Sequence, residues 1–234
     1  MSAACYFIAG TDTAVGKTRV TVALLAAARA AGMAVAGMKP VAAGAERLNG
    51  QMVSPDAVQL AFASGQSTIC SDLNPYCLIE PISPHIAAKL AQLEIDVGVI
   101  ANCARRLQAQ HQLLLIEGAG GWYTPISEHA SMADVVRALG VPVILVVGLK
   151  LGCLNHARLT LEAIRHCGCR FYGWIGSQIE PDFAAMTENL ATLTRLLGAG
   201  PLAVLPHALD CAADMLHVRG ALARLLESQR GQIT

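Results

Sequence analysis

Short apolar runs rich in β-branched and aromatic residues alternate along this chain with longer stretches rich in alanine and leucine. That alternation predicts strands at Cys5–Ala9, Ala34–Met38, Leu113–Ile116 with Glu117 at its end, Val143–Val147, Phe171–Ile175 and Leu202–Leu205. Helices are predicted over Lys17–Ala31, Val58–Phe62, Asp182–Leu197 and Asp214–Leu226, and from about Asn155 onward. Ser54-Pro55-Asp56 reads as a helix start, and so does Ser83-Pro84, with Ser as N-cap and Pro at the first helical position. The strands are apolar throughout rather than alternating, so both of their faces must be covered. With helices between them, the expectation is one doubly wound α/β domain over residues 1–234, its sheet mostly parallel and flanked by helices. In such sheets ligands bind outside the carboxyl ends of the strands.

Composition narrows the function. Of 234 residues, 54 % are hydrophobic and 15 % charged, enough apolar material for a large core. The 17 basic and 17 acidic side chains cancel, which argues against nucleic acid as a partner, since that binding is driven by clustered positive charge. The N-terminal MSAACYFIAG lacks the pattern of a signal peptide, and the run Val141–Val147 is far short of the roughly 20 residues of a membrane span. The eight cysteines make no C-x-x-C pair and suit reduced, buried thiols, so a cytoplasmic protein without membrane contact is expected. No Ser or Cys nucleophile motif and no zinc-ligand spacing is present.

Candidate chemistry collects at the predicted strand ends. The first strand runs into GTDTAVGKT, residues 10–18. The phosphate loop G-x-x-x-x-G-K-[ST] would need glycine at position 11, where this chain has Thr11, with Gly10 one place early. Strand, glycine-rich turn and helix start still suit phosphate binding by backbone N–H groups, Lys17 and the Thr18 hydroxyl; the alternative is a Gly-Lys-Thr that merely opens a helix. Lys39, before Pro40, would face the same crevice as Lys17 if the second strand lies beside the first; otherwise it is a solvated lysine. Glu117, after Leu113–Ile116, resembles the acid that helps to hold Mg²⁺ in phosphate-loop enzymes, or sits exposed in the turn Gly118-Ala119-Gly120-Gly121. Those glycines let a backbone approach a ligand closely. Asp56 needs no role beyond that of a helix-start acid, and Asn155 reads better as an N-cap than as a ligand contact.

Taken together, GTDTAVGKT, GMKPVAAG (37–44), NPYCLIEPISPHIAA (74–88), IEGAGGWYTPI (116–126) and PVILVVGLKLGCLNHA (142–157) resemble the dethiobiotin synthetases, ATP-dependent ligases of the phosphate-loop NTPase superfamily. That family is similar in having a loop one residue longer than the general pattern. The resemblance implies that one amine of 7,8-diaminopelargonic acid takes up CO2 or bicarbonate, ATP phosphorylates the carbamate, and the second amine closes a cyclic urea. It implies that Ala14, Val15, Gly16, Lys17, Thr18 and Arg19 hold ATP, with Gly118, Ala119, Gly120, Ser177, Gln178, Pro206, His207 and Ala208 around it. Thr18, Asp56 and Glu117 would surround Mg²⁺. Lys39, Lys17 and Thr11 would be catalytic, with Lys39 neutralising charge on the carbamate. Asp12, Lys39 and Ala43 would meet the diamine, and Gly152, Cys153 and Asn155 its carboxylate tail, across a homodimer interface.

The chain departs from the family's pattern at Ala14, where an acid is common, at Ala43, where Ser is common, and at Ser177-Gln178, where Asn-Asp is usual; His207 stands where others often carry an aromatic. Ser177 offers a shorter group than Asn for reading the nucleotide base. Two rivals remain. A ParA/MinD-like switch ATPase would carry a lysine early in the loop, and Thr11–Val15 has none. An amide-forming ligase of the cobyrinic acid diamide synthase type would carry a separate glutaminase domain.

Overall fold

The computed structural model describes residues 3–48, 50–207 and 210–230. In chain order the elements are β1 (Ala4–Gly10), α1 (Lys17–Ala30), β2 (Val35–Met38), β3 (Val41–Ala43), β4 (Glu46–Leu48), β5 (Gln51–Val53), α2 (Pro55–Ala63) and β6 (Tyr76–Leu78). Then come α3 (Pro84–Leu90), α4 (Val97–Gln110), β7 (Leu113–Glu117), α5 (Met132–Leu139), β8 (Val143–Leu149), α6 (Cys153–His166), β9 (Phe171–Gln178), α7 (Met186–Leu197), β10 (Ala203–Leu205) and α8 (Cys211–Arg230). Six strands form one parallel sheet in the order β10-β9-β8-β1-β7-β2. β3 pairs with β6 in parallel and β4 with β5 antiparallel, outside that sheet.

Two helical layers explain why the strands do not alternate in polarity. Phe7 and Ala9 of β1, with Leu114, Ile116, Leu145 and Val147, pack into a core that includes Ile100, Val136 and Leu161 of α4, α5 and α6. Tyr6 and Ile8, with Leu113, Leu115, Ile144 and Val146, join the other core with Leu24 of α1 and Leu222 of α8. Each fully buried Leu or Ile contributes about 1.5–3 kcal/mol relative to exposure, so neither strand face can turn polar cheaply.

Several local expectations are corrected. β7 lies between β1 and β2, so the second strand is not beside the first. The helices α4 and α5 were not anticipated. Asp96 caps α4, accepting from Gly98 N at 2.6 Å, and a Ser131–Asp134 box opens α5. Ser54 caps α2 through a bond from Ala57 N, whereas the Ser83 side chain makes no capping bond to α3. Gly152, at φ 93, precedes α6, so Asn155 is not the N-cap but an exposed first-turn residue. α7 begins at Met186 rather than Asp182, after Ala185 turns left-handed at φ 52. No helix among the described residues is long and apolar enough to cross a membrane.

Candidate active site at the strand ends

Gly10 closes β1 and the chain folds back over it. A Cβ at Gly10 would stand 2.8 Å from Lys17 Nζ and 2.9 Å from Val15 Cγ2, so only glycine permits that return. Ala14 and Gly16 both take left-handed dihedrals, φ 57 and φ 89, and the Ala14 side chain makes that cost about 1–2 kcal/mol. The extra residue is thus absorbed in a bulge between Thr11, whose N–H donates to Val146 O at 3.0 Å, and the helix start at Lys17. Asp12 Oδ1 accepts from Thr13 N at 2.7 Å and pins the bulge. Lys17 Nζ donates to Asp12 O at 2.8 Å and to Gly120 O at 2.7 Å, joining the loop to the turn after β7.

Beside it lies a compact charge cluster. Lys39 Nζ is 2.7 Å from Glu117 Oε1 and 2.7 Å from Asp56 Oδ2. Thr18 Oγ1 lies 2.8 Å from Glu117 Oε1 and 3.0 Å from Asp56 Oδ1, and its single proton serves one of them at a time. Glu117 is 0 % exposed and Lys39 4 %, so Glu117 is a buried acid at the last strand position and not an exposed turn residue. Buried charges of this kind persist because each has a partner; removing one partner strands the other. Lys17 opens α1 after β1 and Lys39 follows β2, and β7, which ends in Glu117, lies between β1 and β2.

The electrostatics follow from that arrangement. Burial, and then repulsion from Lys39, lowers the Lys17 pKa to about 8, against partial support from Glu117, Asp56 and Asp12. Burial opposes the Lys39 charge too, but Glu117 and Asp56 outweigh it and hold its pKa above that of an ordinary lysine. Burial pushes Asp56 up, and Lys39, Thr18 and Lys17 together bring it below the usual carboxylate value.

Glu117 Oε2 is buried with no hydrogen-bond partner. With the Thr18 hydroxyl and Asp56 it makes a set of hard oxygen donors, which suits Mg²⁺. Among the described residues no three His, Cys, Asp or Glu side chains gather as a metal site, so a metal here would draw on Thr18 and ligand oxygens as well.

The glycine-rich turn is explained mainly by the protein's own packing. A Cβ at Gly118 would meet Phe7 Cζ at 2.8 Å, and Gly120, at φ 60, lies against Thr124; only Gly121 has no neighbour closer than 3.9 Å. Ala119 N donates to Met132 Sδ at 3.3 Å.

On the other side of the loop, Ser177 is 1 % exposed, its hydroxyl buried without a partner against Gly16. Gln178 donates to the carbonyls of Glu180 and Pro181 and accepts from His207 N at 3.3 Å. Arg19 grips Asp214 through two bonds of 2.6 Å and donates to Pro206 O at 2.7 Å, tying α1 to α8. Ala208 lies outside the described residues.

Lys17, Thr18, Lys39, Asp56 and Glu117 are thus brought together. Ala43 pairs with Leu78 in β3 and β6, and Cys153 is buried in the first turn of α6 beside exposed Gly152; neither belongs to the hydrogen-bonded cluster. Sequence reasoning missed Asp214 and Asn74. Asn74 Nδ2 donates to Lys39 O at 2.7 Å and to Tyr76 O at 3.2 Å, and the Asn-Pro pair at 74–75 was the available signal.

Known proteins similar to this chain point the same way. A family model described as an AAA domain matches residues 5–214. Among solved structures, the MinC:MinD cell division complex of Aquifex aeolicus superposes with a TM-score of 0.62 at 10 % identity, over 96 % of each chain. The septum site-determining protein MinD of Pyrococcus horikoshii, complexed with Mg-ADP, gives 0.58 at 15 % identity, over 100 % of this chain and 99 % of that one. At such identities these two indicate the fold alone. The ATP-dependent dethiobiotin synthetase BioD of Aromatoleum aromaticum is 46 % identical, over 93 % of this chain and 96 % of its own. That of Nitrosospira multiformis is 44 % identical, over 96 % and 95 %, and BioD 1 of Escherichia coli K12 is 43 % identical, over 86 % and 89 %. With its phosphate loop, its two converging lysines and this near-full-length likeness, the chain belongs to the ATP-dependent dethiobiotin synthetase family.

Proposed function

We propose that this protein is an ATP-dependent ligase that builds the cyclic urea of dethiobiotin from 7,8-diaminopelargonic acid and CO2. The observation that carries the reading is the placement of Lys39 beside Lys17 at the end of β7, next to the phosphate loop. One amine nitrogen of the diamine bonds to the CO2 carbon and loses a proton, giving a carbamate. A carbamate oxygen then takes the γ-phosphoryl group and ADP departs. The second amine attacks the same carbon and loses a proton, phosphate leaves with the C–O electrons, and the ring closes.

Each residue has a physical task in that sequence. The backbone from Val15 to Thr18 and the Lys17 ammonium hold the phosphates at the start of α1, where the helix dipole favours negative charge. Lys39 offsets the charge of the carbamate and of the phosphoryl group in transit, an interaction strongest when that charge is most spread. Thr18, Asp56 and Glu117 would hold Mg²⁺, which when bound would neutralise phosphate charge. Lys17, Lys39, Asp56 and Glu117 sum to no net charge, so a metal–nucleotide complex suits the site better than a bare tetra-anion. Thr11 and Asp12, in the bulge, orient the diamine beside Ala43, and holding amines and phosphate in register supplies much of the rate. Ala14, Arg19, Gly118, Ala119, Gly120 and the Ser177–Gln178 and Pro206–His207 segments flank the nucleotide. The turn Gly152-Cys153-Leu154-Asn155 meets the substrate carboxylate from a second subunit; Leu151, 90 % exposed beside it, is the kind of side chain a homodimer covers.

The test is incorporation of labelled bicarbonate in the presence of the diamine, Mg²⁺ and ATP. Acid-stable label in a cyclic urea is the expected result. Absence of label with nucleotide binding intact would assign the phosphate loop to another substrate.

A further inference from the structure

Lys39 sits where the chain leaves the main sheet: β2 ends at Met38, Pro40 follows, and β3 begins at Val41. Its side chain is held by Asp56 and Glu117, but nothing in β2 holds its main chain. That task falls to residues 73–76. Lys39 N donates to Leu73 O at 2.7 Å, and Tyr76 N donates to Pro40 O at 3.2 Å. The β3–β6 ladder starts only at Val41 and Tyr76, with Tyr76 N on Pro40 O, so Lys39 O lies outside it. Pro75, which has no N–H, offers no main-chain donor there. The Asn74 side-chain amide donates to Lys39 O at 2.7 Å, and a second bond to Tyr76 O at 3.2 Å fixes its orientation. Asn74 is 9 % exposed.

We propose that Asn74 is a positioning residue for the reaction: its side-chain amide ties the Lys39 carbonyl to the start of β6, locks the Lys39 peptide, and so holds the Lys39 ammonium between Asp56 and Glu117. The proposal rests on the ligase reading for its kinetic consequence and on geometry alone for its structural one. Asn74 also lines a cavity of about 320 Å³ with Met52, Cys70 and Cys77, so truncating it admits water beside the Lys39 carbonyl. The fold then survives while the register of Lys39 loosens.

Two variants test this, Asn74→Ala and Asn74→Asp, the second keeping the side chain's shape while removing its N–H donor. Acetylation of the Lys39 amine, followed by peptide mass spectrometry at fixed pH, reads its confinement without any assay of catalysis. In Asn74→Ala, Lys39 should label several-fold faster, with kcat down by about 10- to 100-fold and KM for ATP within about twofold of the parent. Asn74→Asp, with the volume kept and the donor lost, should change both in the same direction. Unchanged Lys39 labelling in Asn74→Ala overturns the proposal whether or not the parent makes a cyclic urea. Faster labelling with unaltered kcat, or an Asn74→Asp variant that behaves like the parent, overturns it too. A parent protein without ligase activity counts against the functional reading and leaves the labelling comparison to decide the clamp.

Discussion

At the ends of β2 and β7, Lys39, Asp56 and Glu117 answer charge with charge, whereas at the ends of β9 and β10 the Gln178 side chain bonds main-chain atoms of Glu180, Pro181 and His207. The difference governs what each region tolerates. A buried ion needs its counter-ion, so no member of the first set can change type without stranding another. Main-chain partners persist whatever the neighbouring side chains are. The Ser177 hydroxyl makes no bond within the protein, so a change there strands no partner, unlike a change in the charge cluster. Charge pairing thus constrains residue type on one side of the loop, and main-chain bonding leaves the other side freer.

Breaking the charged side should give the largest effects. Lys39→Ala is expected to lower product formation by about a thousand-fold, as loss of a preorganised charge at a transferring phosphoryl does. Labelled-urea formation by a purified variant with the parent's circular dichroism checks this, and near-normal turnover would remove Lys39 from catalysis. Glu117→Gln keeps the shape but removes a charge from both Lys39 and the proposed metal site. The Mg²⁺ concentration for half-maximal activity should rise by about tenfold or more, and an unchanged titration would take Glu117 out of metal binding.

A third prediction concerns protons. The Lys17 pKa is lowered to about 8, below the ordinary lysine value of 10.5, because its charge is buried beside Lys39. Phosphate against Lys17 favours the charged form, so binding takes up a proton wherever free Lys17 is neutral, that is, above about pH 8. Nucleotide affinity should therefore fall as pH rises past 8, by up to about tenfold per unit, and stay level below it. Calorimetry in buffers of different ionisation enthalpy should register the proton uptake; a flat profile from pH 7 to 9.5 would contradict it.

The smallest effect is expected on the other wall. Gln178→Ala breaks bonds to main-chain atoms that remain in place, so KM for ATP should rise only about three- to tenfold with kcat little changed. A kcat loss comparable to that of Lys39→Ala would erase the contrast between the two sides.

Much of the site was legible in the sequence because its signals are local. Gly10, Gly16, Lys17 and Thr18 lie in one strand–turn–helix unit, and Glu117 ends an apolar run. Helices with weak local signals were not: α4 carries Gly98 and Asn102, poor helix formers, and its burial comes from packing of Ile100, Cys103 and Leu107 on the sheet. The start of α6 was displaced because Gly152, not Asn155, supplies the left-handed turn that admits the helix.

The chain's own residues determined the parallel α/β class, the lengthened phosphate loop and the identity of the charged groups, since backbone preference, hydrophobic pattern and functional-group chemistry act within a few residues. Tertiary structure alone decided that β7 enters between β1 and β2, that Glu117 at its end therefore meets Lys39 and Thr18, and that Asn74 bonds the Lys39 peptide. Those contacts join positions 35 to more than 100 residues apart, and no local pattern encodes them. They follow from which strands bury one another and from the requirement that every buried charge find its partner.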